Sequence, residues 1–162
     1  MIFHFNDKII HVDPVERYAD YSNMPGADLI LITHEHGDQK TVKGIAVKAV
    51  LAYNIVHKRD NGMPYHPKGA GNGYVIDFGK TRVYVAGDTE NIPKMKELSG
   101  INIAFLPMNL PYTMTPKMVA DAVRMFNPKI LYPYHYGNTN PEEIVRLLKD
   151  KNDCEVHVRD LR

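Results

Sequence analysis

The sequence predicts an α/β (α+β) fold in which two β-sheets are sandwiched between helices. Three observations carry that prediction. Short apolar runs rich in β-branched residues recur through the chain. Helical patterns fall between them, mainly in the second half. At 162 residues the chain is long enough for one domain, 1–162, with a real core, and too short for two ordinary ones.

The elements follow in order. Ile2 to Phe5 and Lys8 to Val12 read as a hairpin around Asn6-Asp7. Val15 to Tyr21 is irregular or a short helix, closed by Met24-Pro25-Gly26. Leu29 to Thr33 and Ile45 to Ala52 are strands. Gly73 to Phe78 and Arg82 to Ala86 form a second hairpin around Gly79-Lys80. Asn91 to Ser99 predicts a short helix, and Asn102 to Pro107 a strand. Thr115 with Pro116 behind it suits the start of a helix reaching Phe126. Ile130 to Tyr134 is a strand. Asn140, Pro141 and Glu143 resemble a capping box for a helix to about Lys149. Glu155 to Val158 closes as a strand.

Composition excludes several classes. Twenty basic residues face nineteen acidic ones, with no basic run, so no nucleic-acid footprint is visible. No apolar stretch approaches a membrane span, and Met1-Ile-Phe-His lacks a signal-peptide layout. The one cysteine, Cys154, permits no internal disulfide, fits a reducing, cytoplasmic setting and reads as a packing residue.

Chemistry concentrates in four segments, three of them directly after predicted strands. Thr33-His34-Glu35-His36-Gly37-Asp38 leaves the strand beginning at Leu29. Two histidines one residue apart, with a carboxylate two further on, suit a tight loop in which alternate imidazoles converge. Those are ligand types for zinc and other transition metals. His66-Pro67-Lys68-Gly69 lies in a Gly-rich loop. Gly87-Asp88-Thr89 and Tyr134-His135-Tyr136-Gly137 each follow a strand. Strand ends gather distant residues on one rigid rim.

These segments together resemble the metallo-β-lactamase-fold superfamily of metal-dependent hydrolases, closest to a small prokaryotic branch that includes ascorbate-6-phosphate-lactonase-like proteins. The resemblance runs from the first hairpin to the last helix. It implies a four-layer αββα sandwich with the site on the rim between the sheets. It implies one or two divalent metal ions, zinc foremost and manganese or iron as alternatives. His34, His36 and His66 would hold one ion, Asp38 and His135 would help hold a second, and Asp88 would bridge them. Asp38 and Asp88 would be the catalytic carboxylates. The activity implied is hydrolysis of an ester, lactone or phosphoester by metal-activated water.

Two departures from the family pattern stand out. Gln39 occupies the place where the family loop usually carries another histidine, and a neutral amide is a weak ligand. Only residues 39–43 separate Asp38 from Gly44, where relatives carry a helix and more, so an outer helix should be missing. The exposed sheet face left behind would be covered by a rearranged loop or by a second copy of the chain in a homodimer. Gln39 also leaves open a degenerate member that binds metal or ligand without turnover.

Each candidate has a plainer competitor. His4, His11, His57 and His157 read as ordinary surface or core histidines, and Glu35 as a solvated charge. Asp88 could cap a helix, and His135 could belong to an aromatic cluster with Tyr134 and Tyr136. Asp13 could orient a ligand imidazole or simply make a turn before Pro14. Gly69 to Gly73 precedes a strand, so it is no dinucleotide fingerprint. Lys68 and residues 109–113 could line the substrate side.

Overall fold

A computed structural model of the chain describes residues 1–13, 24–33, 40–42 (backbone only) and 45–161. Two sheets stack face to face. The smaller holds β1 (Ile2–Phe5), β2 (Lys8–Val12) and β3 (Leu29–Leu31), with β1 antiparallel and β3 parallel to β2. The larger comprises β4 (Lys40–Val42), β5 (Ile45–Ala52), β6 (Gly71–Phe78), β7 (Thr81–Val85), β8 (Ile103–Pro107), β9 (Ile130–Tyr134) and β10 (Glu155–Val156). They lie side by side in the order β10-β9-β8-β7-β6-β5-β4. Strands β4 to β7 pair antiparallel, and β7 to β10 pair parallel.

Period-2 alternation divides the large sheet between two cores. Val83 and Val85 of β7, with Ile76 and Phe78 of β6, face the small sheet and pack on its Ile10, Val12 and Leu31. Tyr84 points the other way, with Ala104, Leu106 and Leu131, under helices. Full burial pushes the Tyr84 phenol well above its ordinary value. On that side lie the 3-10 helix Pro93–Glu97, α1 (Pro116–Phe126) and α2 (Glu142–Leu147), which contribute Met95, Val119, Val123, Phe126 and Ile144. The Thr115 hydroxyl accepts the Met118 N–H at 3.1 Å, and Asn127 closes α1 in the left-handed region, φ 53°.

The described residues thus form three layers, small sheet, large sheet and helices. No described helix packs on the outer face of the small sheet, where Ile30 is 54% exposed. Three expectations shift. Lys40–Val42 pairs with β5 as an edge strand, where the sequence suggested only a short connection. Helix α2 stops at Leu147, and the Asn140 side chain accepts the Glu142 N–H at 3.0 Å in a local turn, not a reciprocal box. The last strand ends at Val156. Val15 to Tyr21 lies outside the described residues.

Candidate functional site

The rim begins where β3 ends. Asp13, in the left-handed region at φ 47°, accepts the Thr33 N–H at 2.8 Å and the Thr33 hydroxyl at 2.9 Å. The Thr33 carbonyl in turn accepts the Asn72 N–H, and the Tyr74 hydroxyl donates to the Ile32 carbonyl at 2.6 Å. The end of the small sheet is thereby strapped to β6 of the large one. Asp13 fixes the residue immediately before His34 by holding backbone, a role neither of its sequence readings contained. His34, His36, Asp38 and Gln39, with Glu35, lie outside the described residues.

Gly87 makes the next step. It adopts φ 66°, and a Cβ there would collide with the Asn72 carbonyl. That close approach turns the chain out of β7 and presents Asp88. One Asp88 oxygen lies 2.9 Å from His135 Nδ1, and the other lies 3.4 Å from His66 Nε2. No helix starts here, since the 3-10 helix begins at Pro93 with Ile92 before it, so Asp88 is not a helix cap. His135 follows β9 with φ 46°, a conformation that L-residues rarely adopt. Its Nε2 lies 3.2 Å from Asn109 Nδ2, and its backbone N–H reaches the Leu161 carbonyl at 2.6 Å. The hydrogen bond that His135 donates to Asp88 holds its imidazolium above the usual histidine range, against the opposing effect of burial.

His66 is held differently. Its backbone N–H donates to Asn54 Oδ1 at 2.7 Å, and its Nδ1 lies 2.8 Å from the same oxygen. The Asn54 amide donates to Glu90 Oε1 at 3.1 Å and to the Tyr112 carbonyl at 2.9 Å. Glu90 has no accessible surface, yet it accepts the N–H groups of Ile55, Val56 and His57, each at 2.7 Å. Burial works against its charge, but those bonds and the Asn54 amide prevail and hold the carboxyl below its ordinary range. His57 Nδ1 lies 2.7 Å from Glu90 Oε1 but off the line of a hydrogen bond. His57 therefore sits on Glu90, while His66 sits on Asp88.

Asn54 and Glu90 escaped the sequence reading. A lone Asn after a strand carries no signal, and neither does a lone Glu beside Thr89. Residues 109–113 do lie at the rim, since Asn109 meets His135 and the Tyr112 carbonyl meets Asn54. The Lys68 ammonium lies over the Tyr53 ring, 5.6 Å from its centre. Cys154 is buried, which pushes its thiol up to about 11 and leaves it a packing residue.

Among the described residues, no group of three or more His, Cys, Asp or Glu side chains is arranged to hold a metal by itself. The pair His66 Nε2 and Asp88 Oδ2 nevertheless fits such an ion. At 3.4 Å they are farther apart than a hydrogen bond requires. Two donors at 2.0–2.1 Å from one tetrahedral centre lie about 3.3 Å apart. An imidazole on each oxygen of one carboxylate is also a donor set suited to zinc-type ions.

The chain's matches bear on this rim. Residues 35–135 match the family model described as "Beta-lactamase superfamily domain". A UPF0173 metal-dependent hydrolase of Thermococcus onnurineus is 32% identical, over 80% of this chain and 78% of its own length. Another, from Symbiobacterium thermophilum, is 41% identical over 79% of this chain and 63% of its own. The Thermococcus match runs over 175 positions while using only 80% of a 162-residue chain, so that relative carries extra residues inside the matched region. A crystal structure from Parabacteroides distasonis superposes with TM-score 0.91 at 42% identity, covering 99% of this chain and 89% of that one. A Thermotoga maritima structure of the metallo-beta-lactamase superfamily shares the fold, with TM-score 0.70 at 19% identity over 97% of this chain and 92% of its own.

Proposed function

This chain belongs to the UPF0173 metal-dependent hydrolases of the beta-lactamase superfamily, and we propose that it cleaves an ester, lactone or phosphoester bond of a small molecule at the Asp88 rim. One observation carries the reading, the Asp88 carboxylate with His66 on one oxygen and His135 on the other. His34, His36 and His66 would hold one divalent ion, and Asp38 and His135 a second, with Asp88 shared. Zinc is the ion we infer, with manganese and iron as alternatives. A bound ion supplies Lewis acidity toward water and toward the carbonyl or phosphoryl oxygen under attack.

The chain's own residues supply placement. The Asp88 side chain is 18% exposed, so it is open to water and substrate over only part of its surface. Asn54 and Asn109 keep the flanking imidazoles in register with it. Asp38 would be the second carboxylate that orients the attacking water. Asn109 to Thr113 would form the substrate wall. A cytoplasmic location and a homodimer belong to the same reading.

The test is elemental analysis of protein purified without added metal, followed by assays on p-nitrophenyl acetate, bis-p-nitrophenyl phosphate and a γ-lactone. Turnover that a chelator abolishes and zinc restores, and that Asp88→Asn eliminates, is the expected result. Gln39 favours a second reading, a member that binds metal without turnover. A tightly bound ion with no activity on all three substrates would select it.

A further inference from the structure

Resting on the metal reading of the rim, we propose that Asn54, anchored on the buried carboxylate of Glu90, is a positioning residue that sets the tautomer of His66 and commits its Nε2 to the metal.

Asn54 is buried at 4% exposure, and its Nδ2 faces Glu90 Oε1 and the Tyr112 carbonyl. Both are acceptors, so both amide hydrogens are spent there. Turning the amide over would set Oδ1 against a carboxylate and a carbonyl, which the arrangement forbids. Oδ1 must therefore face His66, where it accepts the backbone N–H at 2.7 Å. The same oxygen lies 2.8 Å from Nδ1, and an acceptor at that distance requires the proton to be on Nδ1. A neutral His66 is then left with its lone pair on Nε2, the nitrogen aimed at Asp88 Oδ2. Lone pair and carboxylate oxygen repel each other unless a cation lies between them. Outer partners of this kind orient a ligand ring and raise its basicity.

Glu90 makes Asn54 immovable. Its three backbone bonds to Ile55, Val56 and His57 fix the loop that carries Asn54. Thr89 adds a clamp, its hydroxyl accepting the Tyr53 N–H at 3.1 Å while the Glu90 N–H reaches the Tyr53 carbonyl at 3.0 Å. Asp88 and Glu90 are two residues apart, so one short segment presents the carboxylate of the rim and, through Asn54, orients the imidazole opposite it. A single displacement of residues 88–90 would move both.

The experiment is long-range 15N–1H correlation NMR of the histidine rings in metal-free protein, paired with competitive zinc titration. His66 should appear as the Nδ1–H form in the unmodified protein. Asn54→Ala should release it to a mixture rich in Nε2–H and weaken zinc binding by about 10–100-fold. Asn54→Asp, which sets a carboxylate oxygen against Glu90 and the Tyr112 carbonyl in place of the amide donor, should weaken zinc binding as well. An Nε2–H His66 in the unmodified protein overturns the proposal even if every variant fails to fold. So does an Asn54→Ala protein with unchanged tautomer and zinc affinity. An Nδ1–H His66 in a protein that binds no zinc refutes the metal reading of the rim and leaves the tautomer selection standing.

Discussion

The two imidazoles on Asp88 are positioned by opposite means. His66 meets one acceptor oxygen twice, and behind that oxygen stands a network ending on a buried carboxylate. His135 sits in left-handed backbone at a strand end, steadied by a single amide and by the Leu161 carbonyl near the C-terminus. The exposed fractions of their side chains differ accordingly, 21% against 42%. One side is organised before any ligand arrives. The other depends on a sparse backbone conformation and a few surface contacts, which cost little to disturb. A rim built this way should bind unequally, tightly beside His66 and weakly beside His135.

The network behind His66 should break with the largest effect. Glu90→Ala leaves three backbone N–H groups and the buried Asn54 amide without their acceptor, and should cost about 3–5 kcal/mol in urea unfolding. The pH dependence has a definite sign. A carboxyl held below its ordinary value contributes stability that is present above the unfolded value near 4.5 and is lost as pH falls toward the folded one. The urea midpoint should therefore drop as pH is lowered below about 4.5, and Glu90→Gln should flatten that part of the profile. An unchanged profile would show that Glu90 carries no such load.

Metal affinity gives the next test. His66→Ala should lower first-site zinc affinity on the order of a hundredfold, the upper end of what an outer partner's loss produces, or more. His57→Ala, which keeps the backbone N–H on Glu90, should stay within about threefold of the unmodified protein, too small a change to count as a lost ligand. The reverse result would move the ligand from His66 to His57.

Much of the fold was legible because its signals are local. β5, α1 and β9 fall where alternation, the Thr115-Pro116 start and flanking polar residues put them. The edge strand Lys40–Val42 was not, because three residues carry no period and only pairing with β5 makes them a strand. The site divides the same way. Asp88 and His135 stood out as candidates by residue type directly after strands, and His66 by its Gly-rich loop and the family resemblance. Asn54 and Glu90 did not, because their role comes from one buried hydrogen-bond chain across about 36 residues of sequence separation.

A third test addresses the weaker side. Gln39 stands where the family loop carries histidine, and Asp38, Asp88 and His135 would share the second ion. Isothermal calorimetry should resolve two unequal zinc sites, and Gln39→His should tighten the weaker by about tenfold or more. Two equal, tight sites in the unmodified protein would remove the asymmetry argued from His66 and His135.

The smallest effect concerns the sheet face farthest from the helices. Ile30 and Ile32 are 54% and 44% exposed on the small sheet, and β4 is an edge strand of the large one. Burying apolar surface contributes about 25 cal/mol per Å², so a few hundred Å² drives association. Against this stands an association cost of at least about 4 kcal/mol, and stable interfaces bury about 1,200 Å² or more in total. The balance favours a weak two-fold dimer through this face. Light scattering should give a mass near twice 18.5 kDa at high micromolar concentration, and Ile30→Lys should return it to the single-chain value. A single-chain mass for the unmodified protein at that concentration would exclude the dimer and leave a rearranged loop as the cover for the face.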